Sequence, residues 1–267
     1  MSTGNGRPLA LVTGASSGIG WSYAERLAAD GHDLIVVARR GNRLAELKEL
    51  LEGRHHVTVQ PLVADLSTEA GMTAVDAAVT DPRLVTVIDN AALAHYMPLV
   101  NLSQDALTEL VMLNALAPAR LIHSTLPRMV ERGHGTIVSV ATLLVFSGGA
   151  TGPQLPKRTV YAATKAFLFT FVRLLAAELA GTGVRLQIVC PGIVRTEFHS
   201  RQGLDMSGRP RLDPADIVEA SIRGLALGEL VCLPSVDDVG AFESRDDAEA
   251  RILGEGMQAH LAARYRA

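Results

Sequence analysis

Short apolar runs alternate with longer helical segments along most of the chain. Seven of these runs form continuous apolar blocks: PLALVT, DLIVVA, VTVQPLV, LVTVID, GTIVSVAT, VRLQIVC and ELVCLP. Continuous blocks are typical of parallel strands that helices cover on both faces, whereas a sheet with one solvated face gives alternation. The pattern predicts a doubly wound α/β fold with a mostly parallel seven-stranded sheet and helices on both faces.

The segments between the runs have the spacing of amphipathic helices. Leu44, Leu47 and Leu51 follow the second run at helical intervals. Residues 105–130 form another long helical segment, and Pro127 is expected to kink it near its end.

Composition narrows the class of partner. The 267 residues carry a formal net charge of −3, which does not favour nucleic acid or an anionic membrane. Cys190 and Cys232 are not spaced as metal ligands or as a disulfide framework, which fits a reducing compartment. We find no signal-peptide core and no apolar run of spanning length. We expect a cytoplasmic protein without a metal site, whose partner is a small molecule.

Domain organisation is expected to be simple, because no repeat and no Pro/Ser-rich linker divides the chain. We predict a single domain over residues 1–267. Within it, residues 1–7 form a flexible N-terminus and residues from about 239 to 267 form a helical tail.

A glycine-rich turn, TGASSGIG, follows the first apolar run and leads into the helical run WSYAERLAAD. Glycines allow backbone amides to approach a pyrophosphate, and the N-terminus of the next helix presents its positive dipole to that charge. The turn predicts a dinucleotide site. Its predicted cofactor-binding residues are Thr13, Gly14, Ser16, Ser17, Gly18, Ile19 and Gly20.

The spacing TGxxxGxG resembles that of the short-chain dehydrogenase/reductase family, in its short single-domain branch. The resemblance extends to about Pro234 and implies a Rossmann-type fold with hydride transfer between nicotinamide and a carbonyl or secondary alcohol. A longer branch of the family contains sugar-nucleotide isomerases and dehydratases. It normally has TGxxGxxG, which differs from the spacing here, and a larger C-terminal domain, which we do not expect in this protein.

The second run ends in Arg39 and Arg40, where such a fold places the adenosine ribose. The acidic residue that would hold the 2′-hydroxyl of NAD is absent, and two guanidinium groups can instead bind a 2′-phosphate. We therefore predict NADP(H) as the cofactor. The alternative is that the two arginines are a solvated pair at the start of a helix.

The resemblance implies further cofactor contacts. VADL provides an adenine-contacting aspartate, DNAA stands where the family usually has NNAG, and CPGIVRT resembles the segment that positions the nicotinamide. The additional cofactor-binding residues are Asp65, Leu66, Asn90, Ala91, Tyr161, Lys165, Pro191, Gly192, Val194 and Thr196.

Tyr161 and Lys165 lie four positions apart at the start of an apolar helical run, so both project from one face. A free tyrosine has a pKa of about 10, and a nearby ammonium lowers it towards neutrality. The pair is predicted to act as the acid/base group. The resemblance adds that Lys165 binds the nicotinamide ribose.

Two more catalytic residues follow from the resemblance. Thr142 stands where the family has a serine that binds the substrate oxygen, with Ser139 and Ser147 as less favoured alternatives. A threonine hydroxyl has the same donor and acceptor capacity as a serine hydroxyl. Asn114 matches an asparagine that holds a water of the proton relay.

The substrate pocket is expected to be apolar. The connection at residues 143–160 is longer than in typical relatives and lies beside the reacting carbon, so it is expected to shape specificity. The same apolar residues can equally pack the loop or form a subunit contact. The predicted wall residues are Leu143, Val145, Phe146, Tyr96, Met97, Phe198 and His199.

These observations favour an NADP(H)-dependent oxidoreductase that reduces an apolar ketone or aldehyde. Two alternatives stay open: an alcohol dehydrogenase that works in the oxidative direction, and an NAD(P)-binding sensor without turnover, which the departures at DNAA and Thr142 would suit. Relatives usually pair through the helices predicted near residues 105–130 and 160–180, which implies a homodimer or homotetramer.

Overall fold

The computed structural model describes residues 6–149, 155 and 157–266. The chain divides into two compact units, Met1–Pro234 and Ser235–Ala267. Most of the predicted flexible N-terminus, and residues 150–154 and 156 of the predicted substrate loop, lie outside the described residues.

The first unit is built on a seven-stranded sheet in the order β3-β2-β1-β4-β5-β6-β7. Every pairing of neighbouring strands is parallel, which confirms the predicted doubly wound fold. The strands are β1 Leu9–Thr13, β2 Asp33–Ala38, β3 Val59–Val63, β4 Leu84–Asp89, β5 Gly135–Val140, β6 Val184–Val189 and β7 Val231–Cys232.

The burial of each strand follows its position in the sheet. All residues of β1, β2 and β5 are buried, as expected for central strands made of continuous apolar blocks. Strand β3 lies at an edge, and its Pro61 is exposed there. An edge strand tolerates proline because one side of its backbone has no strand to bond.

Helices connect the strands. Leu44, Leu47 and Leu51 lie on one face of α2 and are fully buried in the core against β2 and β3, as their spacing predicts. The helices of this unit are α1 Gly18–Ala29, α2 Gly41–His55, α3 Glu69–Ala78, α4 Gln104–Val111, α5 Ala117–Glu131, α6 Thr159–Glu178, α7 Glu197–Ser200 and α8 Pro214–Leu227.

The helical segment predicted over residues 105–130 is divided in the structure. A π-helical turn, Met112–Leu116, separates α4 from α5, and α5 continues through Pro127 to Glu131. A π turn has a wider hydrogen-bonded ring than an α-helix and often occurs at functional sites. This turn contains Asn114, which is completely buried.

Helix α6 carries Tyr161 and Lys165 and is long and apolar enough, by length and composition alone, to cross a membrane. The buried central helix of an α/β protein passes the same test, and both Tyr161 and Lys165 are buried in this unit. The second unit contains α9 Gly240–Gly256 and a 3-10 turn, Ala263–Tyr265; none of the described residues of α9 is buried.

Candidate active site

The glycine turn between β1 and α1 is closely packed against two other segments. A Cβ on Gly18 would lie 2.7 Å from Cγ2 of Thr196, and Gly18 has a φ of +59°, which L side chains rarely adopt. A Cβ on Gly20 would lie 2.5 Å from both Nδ2 of Asn90 and the carbonyl oxygen of Gly14. The turn therefore requires glycine at both positions.

Hydrogen bonds join the end of β1 to the residues that follow β4. The Thr13 hydroxyl oxygen accepts from the backbone amides of Asn90, at 2.8 Å, and Ala91, at 2.9 Å. The Asn90 amide group donates to the Thr13 carbonyl at 3.0 Å. These bonds hold the two strand ends together where the strand order reverses, which is where α/β sheets bind ligands.

The guanidinium of Arg40 lies directly on the glycine turn. Its Nη2 donates to the hydroxyl oxygens of Ser17, at 2.8 Å, and Ser16, at 2.9 Å, and to the Ser16 carbonyl at 3.1 Å. Its Nη1 lies 3.0 Å from the carboxylate of Glu197. Arg43, which was not among the predicted site residues, donates through Nε to the Ser16 carbonyl at 3.4 Å.

Arg39 points in a different direction. Its Nη1 lies 3.7 Å from Asp65 and 3.5 Å from Glu109. Partial burial opposes ionisation of Asp65, but hydrogen bonds from Ser67 and the charge of Arg39 hold the pKa of that carboxyl below its ordinary value. The two arginines are therefore not equivalent: only Arg40 contacts the glycine turn.

The predicted residues meet in one cleft of about 680 Å³ at the carboxyl ends of the strands. Thr13, Gly20 and Asn114 are buried and do not line it. The predicted residues that line it are Gly14, Ser16, Ser17, Gly18, Ile19, Arg39, Arg40, Asp65, Leu66, Asn90, Ala91, Thr142, Tyr161, Lys165, Pro191, Gly192, Val194 and Thr196.

Asn114 supports the cleft from below. Its side-chain oxygen accepts from the Leu93 amide at 3.1 Å, and its amide group donates to the Leu93 carbonyl at 2.9 Å. The same amide group lies 3.3 Å from the hydroxyl of Thr164 on α6. The π turn thereby connects the segment after β4 to the helix that carries Tyr161 and Lys165.

The electrostatics of Tyr161 differ from the sequence-based expectation. Burial raises the pKa of Tyr161 above its ordinary value, and the neighbouring Thr142 hydroxyl lowers it only in part. The amino group of Lys165 donates a hydrogen bond to the Val140 carbonyl at 2.8 Å. Burial also lowers the pKa of Lys165, against the opposing charge of Asp89.

Asp89 is a buried acid that was not among the predicted site residues, although it begins the DNAA segment that departs from the family pattern. It ends β4 beside Ser139 of β5. Burial raises the pKa of Asp89 to about 6, while Lys165 and the hydroxyls of Thr13 and Ser139 act in the opposite direction. The site therefore contains a buried carboxyl group whose charge is coupled to that of Lys165.

Aromatic rings surround Tyr161. The ring centroid of Tyr96 lies 5.7 Å away and that of Phe198 lies 5.8 Å away. His199 stacks on Tyr96 at 6.0 Å with nearly parallel planes. We call Tyr96, Phe198 and His199 the aromatic wall.

The rest of the predicted substrate wall is only partly brought together. Leu143 lines the cleft, but Phe146 packs its ring against Phe169 at 5.3 Å. Met97 and Val145 are not among the described residues that line the cleft. Some apolar residues of this loop therefore line the cleft, and others pack within the protein. The amino-acid composition of the loop does not distinguish the two groups.

The two alternative serines are not placed beside Tyr161 in the way that Thr142 is. Ser139 is completely buried in β5. The Ser147 hydroxyl donates to the Leu144 carbonyl at 2.6 Å and accepts from Nε of Arg158 at 2.9 Å. Thr142 is the hydroxyl that neighbours Tyr161.

A doubly wound sheet with this glycine turn and a Tyr/Lys pair in one cleft defines a class of nicotinamide-dependent oxidoreductases. The chain belongs to the short-chain dehydrogenase family, because the sequence model of the family described as "short chain dehydrogenase" matches residues 8–206. It is accordingly an NAD(P)-dependent oxidoreductase that acts on a CH–OH or C=O group.

Two solved structures are similar over almost the whole chain. A short-chain dehydrogenase from Sphingobium yanoikuyae in complex with NADPH is 35% identical, with a TM-score of 0.91 over 97% of this chain and 100% of that one. A bulky-bulky ketone specific alcohol dehydrogenase from Comamonas testosteroni is 32% identical, with a TM-score of 0.88 over 97% and 99%. An uncharacterized oxidoreductase of Staphylococcus saprophyticus is 30% identical over 81% of this chain and 90% of its own length.

Gly20→Ala is expected to destabilise the protein by about 1–3 kcal/mol, because the added methyl group forces the glycine turn away from Asn90. Gly53→Ala is the matched control: it lies in α2 with nothing within 4 Å of the added Cβ, and should stabilise by about 0.5–1 kcal/mol. Urea unfolding measures both changes. Equal effects of the two substitutions would contradict the close packing of the turn.

Asp89→Asn is expected to stabilise the protein at neutral pH. The folded-state pKa of about 6 lies above the ordinary value of about 3.9 for an aspartate, so the contribution of Asp89 to stability is present at low pH and is lost as pH rises through 6. A neutral amide avoids that loss. The free energy of unfolding of Asp89→Asn should therefore exceed that of the wild type by about 2–3 kcal/mol at pH near 8 and by almost nothing at pH near 4. Urea unfolding across this pH range measures the difference.

Asp81→Asn is the control of opposite sign for that experiment. The side chain of Arg83 holds the pKa of Asp81 below its ordinary value. Its substitution should therefore destabilise the protein at neutral pH, and the difference should disappear as pH falls through the lowered pKa. A gain for Asp89→Asn that does not change with pH would show that burial of charge is not its cause.

Proposed function

We propose that the protein reduces ketones with bulky apolar substituents, using NADPH. The observation that carries this proposal is the position of the Tyr161 phenol, beside the Thr142 hydroxyl and among the aromatic wall, in the same cleft as the glycine turn. A carbonyl group placed there has a proton donor, a second hydroxyl partner and apolar surroundings.

The cleft fits a nicotinamide dinucleotide. Gly14 and Gly18 line the cleft without a Cβ, and Arg40 places a guanidinium at the N-terminus of α1, where an anion is favoured. Bound in this cleft, the cofactor would supply the hydride. We assign the pyrophosphate to the glycine turn, the 2′-phosphate to Arg40, and the nicotinamide to the segment from Pro191 to Thr196.

The chain's own residues handle the proton. Tyr161 donates its hydroxyl proton to the oxygen of the reduced substrate, and Thr142 holds that oxygen by a hydrogen bond. The raised pKa of Tyr161 keeps the phenol protonated at neutral pH, which favours reduction over alcohol oxidation. A proton from solvent then reaches the Tyr161 phenolate by way of Lys165, and we assign Asn114, which bonds Thr164 of the same helix, to the relay that leads to it.

The proposed substrate class rests on the aromatic wall. Aromatic rings at the observed edge-on and tilted angles can pack against another aromatic group on the substrate. The similar enzyme from Comamonas testosteroni, described as specific for bulky-bulky ketones, supports the same choice. NADPH rather than NADH is supported by Arg40 and by the similar structure in complex with NADPH.

A homodimer or homotetramer in the cytoplasm completes the proposal. Apolar side chains are exposed on α4, on the π turn and on α6, including Val111, Leu116, Phe167 and Leu174. Adjacent helices with exposed apolar residues favour association with a second copy.

Tyr161→Phe is expected to lower kcat by about 100- to 10,000-fold while the affinity for NADPH stays within about twofold, because only the proton donor is removed. Activity is measured with a diaryl ketone, an aryl methyl ketone and a small aliphatic ketone, of which the diaryl ketone should have the highest kcat/KM. Tyr265→Phe, an exposed tyrosine of the second unit, is the control and should leave kcat unchanged. NADPH binding without wild-type turnover of any carbonyl would instead support the sensor.

Arg40→Ala is expected to weaken NADPH binding at least about tenfold and to leave NADH binding nearly unchanged, because a guanidinium that meets a phosphate is removed. Arg39→Ala is the matched comparison, since Arg39 pairs with Asp65 and Glu109 instead of the glycine turn. Titration of nicotinamide fluorescence measures both affinities. A larger loss of NADPH selectivity in Arg39→Ala would reverse the assignment of the two arginines.

A further inference from the structure

The short helix α7 links the two ends of the cleft. Its first residue, Glu197, lies 3.0 Å from Arg40 at the glycine turn. The next two residues, Phe198 and His199, belong to the aromatic wall around Tyr161. The residue that contacts Arg40 is therefore next in sequence to a residue that packs against Tyr161.

The donors of Arg40 are divided between two partners. Nη2 and Nε donate to Ser16 and Ser17 of the glycine turn, while Nη1 meets the Glu197 carboxylate. A phosphate monoester carries about 1.5 to 2 negative charges near pH 7 and accepts hydrogen bonds from the same guanidinium. Because two anions at one guanidinium repel each other, phosphate binding at Arg40 opposes the Glu197 contact.

Glu197 has a second partner when it leaves Arg40. Nη2 of Arg201 lies 2.6 Å from the same carboxylate oxygen, one helical turn further along the chain. The carboxylate is about half exposed, so displacement does not leave a buried unpaired charge. Loss of the Arg40 contact, with the Arg201 contact kept, therefore costs little free energy.

We propose that Glu197 is a specificity-determining residue that competes with the 2′-phosphate of the cofactor for Arg40. The phosphate releases α7 from the glycine turn and lets Phe198 and His199 adjust to a bulky substrate. A dinucleotide without that phosphate leaves α7 attached. This inference rests on the proposed use of NADPH, and it adds a connection between the form of the cofactor and the shape of the substrate pocket.

Glu197→Gln tests the competition, and Glu219→Gln is its matched control. Glu219 on α8 also bridges two arginines, Arg26 at 2.9 Å and Arg223 at 2.6 Å, and is similarly exposed. The affinities of wild type and both variants for NADPH, NADH and adenosine 2′,5′-bisphosphate are measured by fluorescence and calorimetry.

Glu197→Gln should bind NADPH and the bisphosphate about three- to tenfold more tightly and NADH within about twofold. Glu219→Gln should match wild type for all three ligands. An unchanged or weaker NADPH affinity in Glu197→Gln, or an equal gain for NADH, overturns the competition.

The KM for the ketone, measured with each cofactor in turn, tests the connection to the substrate pocket. In the wild type, the KM for a diaryl ketone should be higher with NADH than with NADPH, and Glu197→Gln should lower only the NADH-supported value. Equal wild-type KM values with the two cofactors overturn the connection.

The binding measurements also separate this inference from the proposed function. If wild type binds NADPH no better than NADH and Arg40→Ala changes neither, the proposed cofactor is wrong and the competition fails with it. If wild type prefers NADPH but Glu197→Gln behaves like Glu219→Gln, the competition alone is wrong.

Discussion

The hydrogen bonds between Thr13 and the Asn90–Ala91 backbone are the constraint on which the site depends. They fasten the end of β1 to the residues after β4, at the point where the strand order turns from one half of the sheet to the other. Asn90 then packs against the glycine turn so closely that Gly20 has no room for a side chain. Connections leave a parallel sheet in opposite directions at such a point, so the cleft opens there and every other group is placed relative to it.

Much of the fold could be predicted from the sequence because central parallel strands carry a strong signal. The seven apolar blocks contain the seven strands, and the core leucines of α2 occupy the predicted face. The π turn between α4 and α5 has no comparable signal in the pattern of apolar residues. Apolar positions continue through residues 112–116, and the Asn114 side chain within the π turn bonds to Leu93, 21 positions earlier, which the local pattern does not indicate.

The site was predictable at the level of motifs but not of individual contacts. The sequence brings Arg39 and Arg40 to the end of one strand, and successive side chains there project to opposite sides, so only the structure distinguishes their partners. It likewise cannot show that Lys165 donates to Val140, or that burial dominates the pKa of Tyr161. Glu197 follows a recognisable segment, but its partner Arg40 lies 157 positions earlier.

The π turn also separates two parts of the molecule that a continuous helix would lock together. A π turn is equivalent to one extra residue inserted into a helix, and each residue of an α-helix turns the chain by about 100°. The exposed apolar face of α4 is therefore rotated relative to the buried face of α5 by an amount that the five residues Met112–Leu116 set. The side chains of α4 and those of α5 therefore do not share one helical phase, and Asn114 is held between them by its bonds to Leu93.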